Sequence, residues 1–468
     1  MRTLLYRTLI LLAVFGLIFT PPVCTGQAEL HRAQAAMDAQ EYHLAAEQYQ
    51  RAARFLSWES GLWEQAAIAS FLTGEHQNSI ILFEKASRNS SLSANGWDLF
   101  GQAYWWSGDR ESARETWLKG LEEHPSHGKF FSNLSKVYFV QGNMSAERAA
   151  LEHWVVSDGE SDAASHYRLA ALLTLAEPDR ALSEFLLASS LDPEYDSAVE
   201  TMRTTLNLAS LETDQSGYFV VVGRGLGLVG EWKIAQQAFR QAVSVDGENA
   251  EAWAWLGEAE QRLGRDGRAA LERALKFGRE NPIVRSLRGV YWARQGKYAQ
   301  ALAEYLLAAE YDPENPVWEY QIGEMYAQLG DLPPALWHYQ RATEIAPDDP
   351  AAWRFLALFC AQYGVAVEEI GLPAAQMALE LTDEDPLSLD ALGWSLAVLG
   401  RHDEARDALE RALTLDPDFA QAHLHLAVVL IRLEEWASVR AHLQTARDLS
   451  PDGSIGEQAQ MLLNQYFP

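Results

Sequence analysis

Apolar residues recur along this chain at the three-to-four-residue spacing of a helix face, and the faces come in pairs. Over Trp318–Pro347 the pattern is plainest: Trp318, Ile322, Gly323 and Tyr326 mark one face, and Ala335, Tyr339 and Ala342 mark a second. Between them Gly330 supplies a turn, and Pro347 cannot continue the helix it follows. Asp348 and Asp349 then offer side-chain acceptors to cap the next helix. The spacing predicts two antiparallel amphipathic helices. Gly323 and Ala335 let their backbones approach, and Tyr326 and Tyr339 fill the volume between.

The pattern repeats. Ala301 precedes Ala335 by 34 residues, with Gly289, Gly296, Tyr305, Ala308 and Pro313 at matching offsets. Trp353 opens the next repeat; Gly393, Gly400, Ala405, Leu409, Ala412 and Pro417 follow, then Ala427, Leu443, Ala446 and Pro451. In the N-terminal half, Trp97, Gly101, Tyr104, Gly108, Ala113, Trp117 and Pro125 form a nearly complete set, with neighbours centred on Tyr49, Phe83 and Tyr138. About twelve repeats can be counted. They resemble the tetratricopeptide repeat (TPR), a unit of about 34 residues. The resemblance implies an all-α fold, a right-handed TPR superhelical solenoid of antiparallel helix pairs in which each repeat buries its apolar face only by stacking on the next.

Departures from the register divide the chain. The repeat at Leu169 and Ala181 is one residue short, that at Gly257 and Ala274 two short, and that at Gly364 and Ala378 two long, all predicting local turn changes. A larger break predicts an extra helix or linker over 196–215. It interrupts the solenoid, leaving about five repeats in 28–195 and about seven in 216–453, with a capping helix in 454–468.

The first 26 residues follow a different pattern: Arg2 and Arg7 lead into an apolar run from Leu9 to Phe19, then Pro21 and Pro22. This reads as an export signal, too short to span a bilayer and cut near Gly26 or Ala28. A periplasmic or extracellular location is expected, with no stable membrane span after cleavage. Anchoring through an acylated Cys24 is the weaker reading, because Pro21, Pro22 and Val23 match a lipobox poorly. Cleavage leaves Cys360 as the only cysteine, so no internal disulfide is expected.

Composition narrows the partners. A hydrophobic content of 48% over 468 residues argues against disorder, and 65 acidic against 37 basic residues give a net charge of −28. Such a surface repels phosphate backbones and anionic lipid, which excludes nucleic acid and favours other proteins, among them ones with basic segments.

Chemistry is sparse. Gly225, Gly227 and Gly230 spell GxGxxG after a β-branched run at Tyr218–Val222, as a dinucleotide fold would want. The same residues also fit the repeat register, and no strand–helix alternation surrounds them. The histidine pairs His124 with His127 and His423 with His425 lack the further ligands of a metal site. Cys360 falls at a packing position, and no catalytic triad can be assembled. No cofactor, no metal and no enzymatic activity are expected.

In the family resembled, the first helix of each repeat lines a concave groove that holds a partner. That implies groove positions at Phe71, Trp105, Lys136, Phe139, Tyr167, Arg224, Glu258, Tyr320, Glu324, Arg354 and Trp394. The function expected is an extracytoplasmic protein–protein scaffold that grips an extended segment and assists assembly of an envelope or secretion complex. Two alternatives stay open: a carbohydrate- or lipid-binding solenoid using Trp105, Trp106 and Trp394, and, more remotely, a dinucleotide-binding enzyme.

Overall fold

The computed structural model describes residues 22–157, 159–451 and 453–468. Of the export signal expected over 1–26, residues 1–21 lie outside the described residues. Among those described there is no strand, and the helices follow one another in antiparallel pairs. They form two compact units, one ending at Asn207 and the other running Leu208–Pro468.

The N-terminal unit begins with a helix over 22–38 paired with α1 (Tyr42–Phe55). Four further pairs follow: α2 (Leu62–Leu72) with α3 (His76–Asn89), α4 (Ala94–Ser107) with α5 (Arg110–Glu123), α6 (Lys129–Gln141) with α7 (Met144–Ser157), and α8 (Ala163–Leu173) with α9 (Pro178–Leu191). The cleavage point expected near Gly26 falls inside the first helix, where Gly26 packs against Phe55 and Leu56. A short 3-10 turn at Pro193–Tyr195 leads into α10 (Asp196–Ala209), an amphipathic helix with Met202 and Ala209 fully buried.

The C-terminal unit holds seven pairs: α11 (Gln215–Leu228) with α12 (Trp232–Val245), α13 (Ala250–Arg262) with α14 (Arg268–Phe277), α15 (Pro282–Arg294) with α16 (Tyr298–Tyr311), α17 (Pro316–Gln328) with α18 (Leu332–Ile345), α19 (Pro350–Tyr363) with α20 (Leu372–Glu380), α21 (Pro386–Val398) with α22 (His402–Leu415), and α23 (Ala420–Arg432) with α24 (Trp436–Leu449). A last helix, α25 (Ser454–Tyr466), covers the end. The run Tyr218–Val222 is helical within α11, so no strand precedes the three glycines and the dinucleotide fingerprint lacks its strand–turn–helix frame.

The glycine near the middle of each first helix is where the pair meets. A Cβ on Gly101 would strike Trp117, on Gly223 Phe239, on Gly289 Tyr305, and on Gly323 Tyr339. The aromatic of the second helix therefore seats on bare backbone, and Trp117, Phe239 and Tyr305 are almost fully buried. Tyr326 is only half-buried and instead lies flat against His338 of its own second helix, rings 5.4 Å apart. Gly330 turns the chain at φ +82°, a left-handed conformation that costs glycine nothing. Asp349 caps α19 by accepting from the Ala351 N–H.

The irregular repeats have local causes. In the short one, a Cβ on Gly267 would lie 2.0 Å from the Gly257 carbonyl, so backbone touches backbone and α14 starts late. In the long one, the surplus is taken up by a π turn at Val367–Gly371, entered through Ala366 at φ +46°. Gly371 there packs on Cys360, which is fully buried with its thiol pKa pushed up to about 12 by burial.

Candidate partner-binding face

Successive first helices pack on one another: α2 on α4 in the N-terminal unit, and α11 on α13, α13 on α15, α17 on α19, α19 on α21 and α21 on α23 in the C-terminal unit. First helices thus line up beside one another within each unit.

In the N-terminal unit the first-helix face opens into a pocket of about 600 Å3. Trp105 from α4 and Lys136, Phe139 and Val140 from α6 contribute walls, and Leu151 and Arg168 come from α7 and α8. Phe139 is 45% exposed, with the Arg168 guanidinium 4.8 Å above its ring. Arg168 is held from behind by the buried Glu147 carboxylate, accepting at 2.6 and 3.1 Å. At the opposite edge Asp162 accepts from the Ser165 N–H and hydroxyl and from the Trp154 indole. Burial pushes its pKa up, but these hydrogen bonds and the nearby Lys136 outweigh that and hold it below its usual value. The pocket combines an aromatic and aliphatic lining with two cations, Lys136 and Arg168, and two carboxylates, Glu147 and Asp162, which suits an apolar side chain flanked by polar groups.

Three expected groove residues, Trp105, Lys136 and Phe139, therefore converge. The others are dispersed. Phe71 is half-buried, tilted against His76 at 5.4 Å, and Tyr167 stacks on Tyr195 at 4.9 Å. Arg224 is exposed, 5.5 Å above the Trp255 ring. Glu258 is a correction: it is 3% exposed and cannot meet a partner. Arg294 of the next repeat donates to it twice at 2.6 Å, and Arg262 adds a bond of 2.8 Å. Burial raises its pKa, and the two arginines more than offset this and leave it lowered.

Tyr320, Glu324 and Arg354 are also committed within the fold. Tyr320 packs against Phe355 at 4.5 Å, Glu324 accepts from the Tyr339 hydroxyl at 3.0 Å, and Arg354 donates to Asp385 at 3.1 Å, the residue that caps α21. Replacing all three with Ala would disturb packing as well as surface. Trp394 lies flat on His425, rings 4.2 Å apart and 8° from parallel.

Two ladders of side-chain pairs escaped the sequence reading. Between first helices, residues 35 apart meet: Asp98 accepts from Asn133 at 2.6 Å, Tyr320 meets Phe355, and Asp390 pairs with His425 at 2.8 Å. Within repeats, a first-helix residue meets one 18 or 19 later: His166 with Glu184, Arg285 with Glu304, Glu319 with His338, and His423 with His442. Complementary residue types at those two spacings were the available signal.

The profile of the tetratricopeptide repeat matches residues 99–165 and 229–282, and that of the cilia and flagella-associated protein 70 C-terminal domain matches residues 280–462. A search of curated proteins finds no match. Similar solved structures include the APC/C hetero-tetramer Cut9-Hcn1, 16% identical with a TM-score of 0.44 over 95% of this chain and 96% of that one. Yeast Tom70 is 16% identical with a TM-score of 0.43, over 94% and 95%. With the repeat profile matched in both units, and antiparallel helix pairs throughout the described residues, the chain belongs to the tetratricopeptide-repeat proteins, a family of generally non-enzymatic protein-interaction scaffolds.

Proposed function

We propose that this protein is a scaffold holding an extended segment of another protein along its first helices, with the pocket at Trp105 and Phe139 as a principal anchor. The observation that carries the reading is the convergence of Trp105, Lys136 and Phe139, from successive first helices, on one open cavity of about 600 Å3. Aromatic anchors in a pocket commonly dominate such interfaces. A partner suited to it brings an apolar side chain beside polar backbone or side-chain groups, and basic flanks that the −28 charge would draw in from a distance.

Arg2, Arg7 and the apolar run that follows support an exported protein, whose partners would be met beyond the cytoplasm, in assembly of an envelope or secretion complex. Among the described residues no helix is long and apolar enough to cross a membrane, and Cys24 is exposed. N-terminal sequencing of the protein from its native host tests this part: a start near Gln27 supports export and cleavage, and an intact Met1 overturns it.

The binding reading is tested with a photo-crosslinker at Phe139 and quantitative capture by wild type and a Trp105→Ala, Phe139→Ala double variant. The expected result is crosslinking of one protein partner and at least about tenfold weaker capture by the variant, corresponding to the loss of two hot-spot side chains, with an unchanged helical spectrum. Equal capture by both forms would place the binding surface elsewhere.

A further inference from the structure

The C-terminal unit carries a second cavity of different chemistry. Four helices along the first-helix face, α19, α21, α23 and α25, enclose about 320 Å3, to which Gln362, Trp394, Gln421, His425, Ser454 and Gln458 contribute. His425 is 8% exposed. Its Nδ1–H donates at 2.8 Å to Asp390, itself 1% exposed, and Trp394 lies flat on its ring. Both orientation and tautomer are thereby set, so the Nε2 of the neutral ring is left as an acceptor. That nitrogen has no hydrogen-bond partner among the described residues, and His425 lines the cavity. The indole N–H of Trp394 and the amides of Gln362, Gln421 and Gln458 are likewise without partners there.

Several polar side chains elsewhere on this unit's first-helix face are bonded to one another, as Glu258 is to Arg294 and Arg354 to Asp385. Around the largely buried His425 ring, the half-buried Trp394 and Gln421 and the exposed Gln362 and Gln458 thus bring neutral polar groups, bonded to no other side chain, to one cavity that a ligand can share with solvent. The lining contains no carboxylate, ammonium or guanidinium, so neither an anion nor a cation finds a counter-charge. The amides and the Ser454 hydroxyl both donate and accept, whereas Nε2 accepts and the indole donates. A ligand rich in hydroxyls, each able to do either, satisfies that mixture; a lone amide side chain would answer only two of the groups and leave much of the volume empty.

We propose that this cavity binds a single uncharged sugar ring, a site separate from the protein-binding pocket of the N-terminal unit. The test uses the full chain, with saturation-transfer NMR and calorimetry on glucose, galactose, mannose and N-acetylglucosamine. Glucose 6-phosphate, glucuronate and N-acetylglutamine amide serve as charged and amide controls. At least one neutral sugar should bind with a Kd of about 10 mM or tighter, with the controls at least about tenfold weaker. The Gln421→Leu, Gln458→Leu double variant should weaken binding at least about tenfold at an unchanged melting temperature, because it removes four donor and acceptor positions. Should that variant melt early, Gln362→Ala, at an exposed position, takes its place and should weaken binding severalfold. No binding by any neutral sugar would overturn the proposal, as would equal binding by the folded variant, or tighter binding of the amide or charged controls.

Discussion

Glu258 shows what decides the role of a single residue on this face. Its position in the repeat suggests a groove contact, but Arg294 lies close enough to capture it, and a buried carboxylate is stable only when paired. Removing both of its partners, as Arg262→Ala with Arg294→Ala, should therefore destabilise the protein by about 3 kcal/mol, since it leaves the buried carboxylate without a donor. The check is a denaturation midpoint, with Arg224→Ala, at an exposed position, shifting it by about 0.5 kcal/mol or less. Because the folded pKa of Glu258 is lowered, its contribution is present above its ordinary value of 4.5 and is lost as pH falls through the folded value. Tyr339 makes the corresponding case for packing: it is 4% exposed and seated on Gly323, and Tyr339→Ala should cost about 3–5 kcal/mol.

Between elements, close approach and shared hydrogen bonds take over. Gly267 and Gly257 bring the α13–α14 junction into backbone contact, and neither carbonyl can rotate aside as a side chain would. Gly267→Ala should accordingly cost about 3 kcal/mol, at the upper end for an added methyl group, read as a lowered melting temperature. In the last repeat, α23 and α24 are joined by two histidines. The Nε2–H of His423 donates to the Pro417 carbonyl at 2.8 Å, so its Nδ1 must accept from the Nδ1–H of His442, also at 2.8 Å. Burial first, and His423 second, hold the His442 pKa below its ordinary 6.5. A histidine with a lowered folded pKa stabilises fully above the unfolded value and loses that contribution as pH falls. Amide exchange in α24 and α25 should therefore speed up between about pH 7.5 and 5.5, relative to α16 and α18, more than intrinsic exchange explains. His442→Phe should abolish the difference; unchanged relative protection would refute the role given to this pair.

For the whole molecule the governing quantity is charge. A net −28 spread over stacked helices repels itself, although local pairs such as Glu147 with Arg168 are satisfied. Raising ionic strength from about 10 mM to 150 mM shortens the screening length from about 30 Å to 8 Å and should raise the melting temperature. The same change should slow association with a partner bearing basic segments, since long-range attraction is screened by the same ions. A melting temperature that falls on adding salt would mean that internal ion pairs outweigh the net repulsion.

Helix pairs, turns and the repeat were legible in the sequence because their causes are local. Gly323, Gly330, Ala335 and Pro347 act through backbone geometry within a few residues, and the register repeats often enough to be unmistakable. The convergence of Trp105, Lys136 and Phe139 was legible for the same reason, since equivalent positions on stacked first helices share a face. Whether a polar side chain on that face is free was not legible. Glu258, Glu324 and Arg354 find partners 15 to 36 residues away, and which side chain arrives there depends on how one helix leans on the next. The two surplus residues after Gly364 could be counted in the sequence, but only the packing of Gly371 on Cys360 decided that they become a π turn. Local sequence determined the helices and their order; contact between repeats decided which of their side chains remain open to a partner.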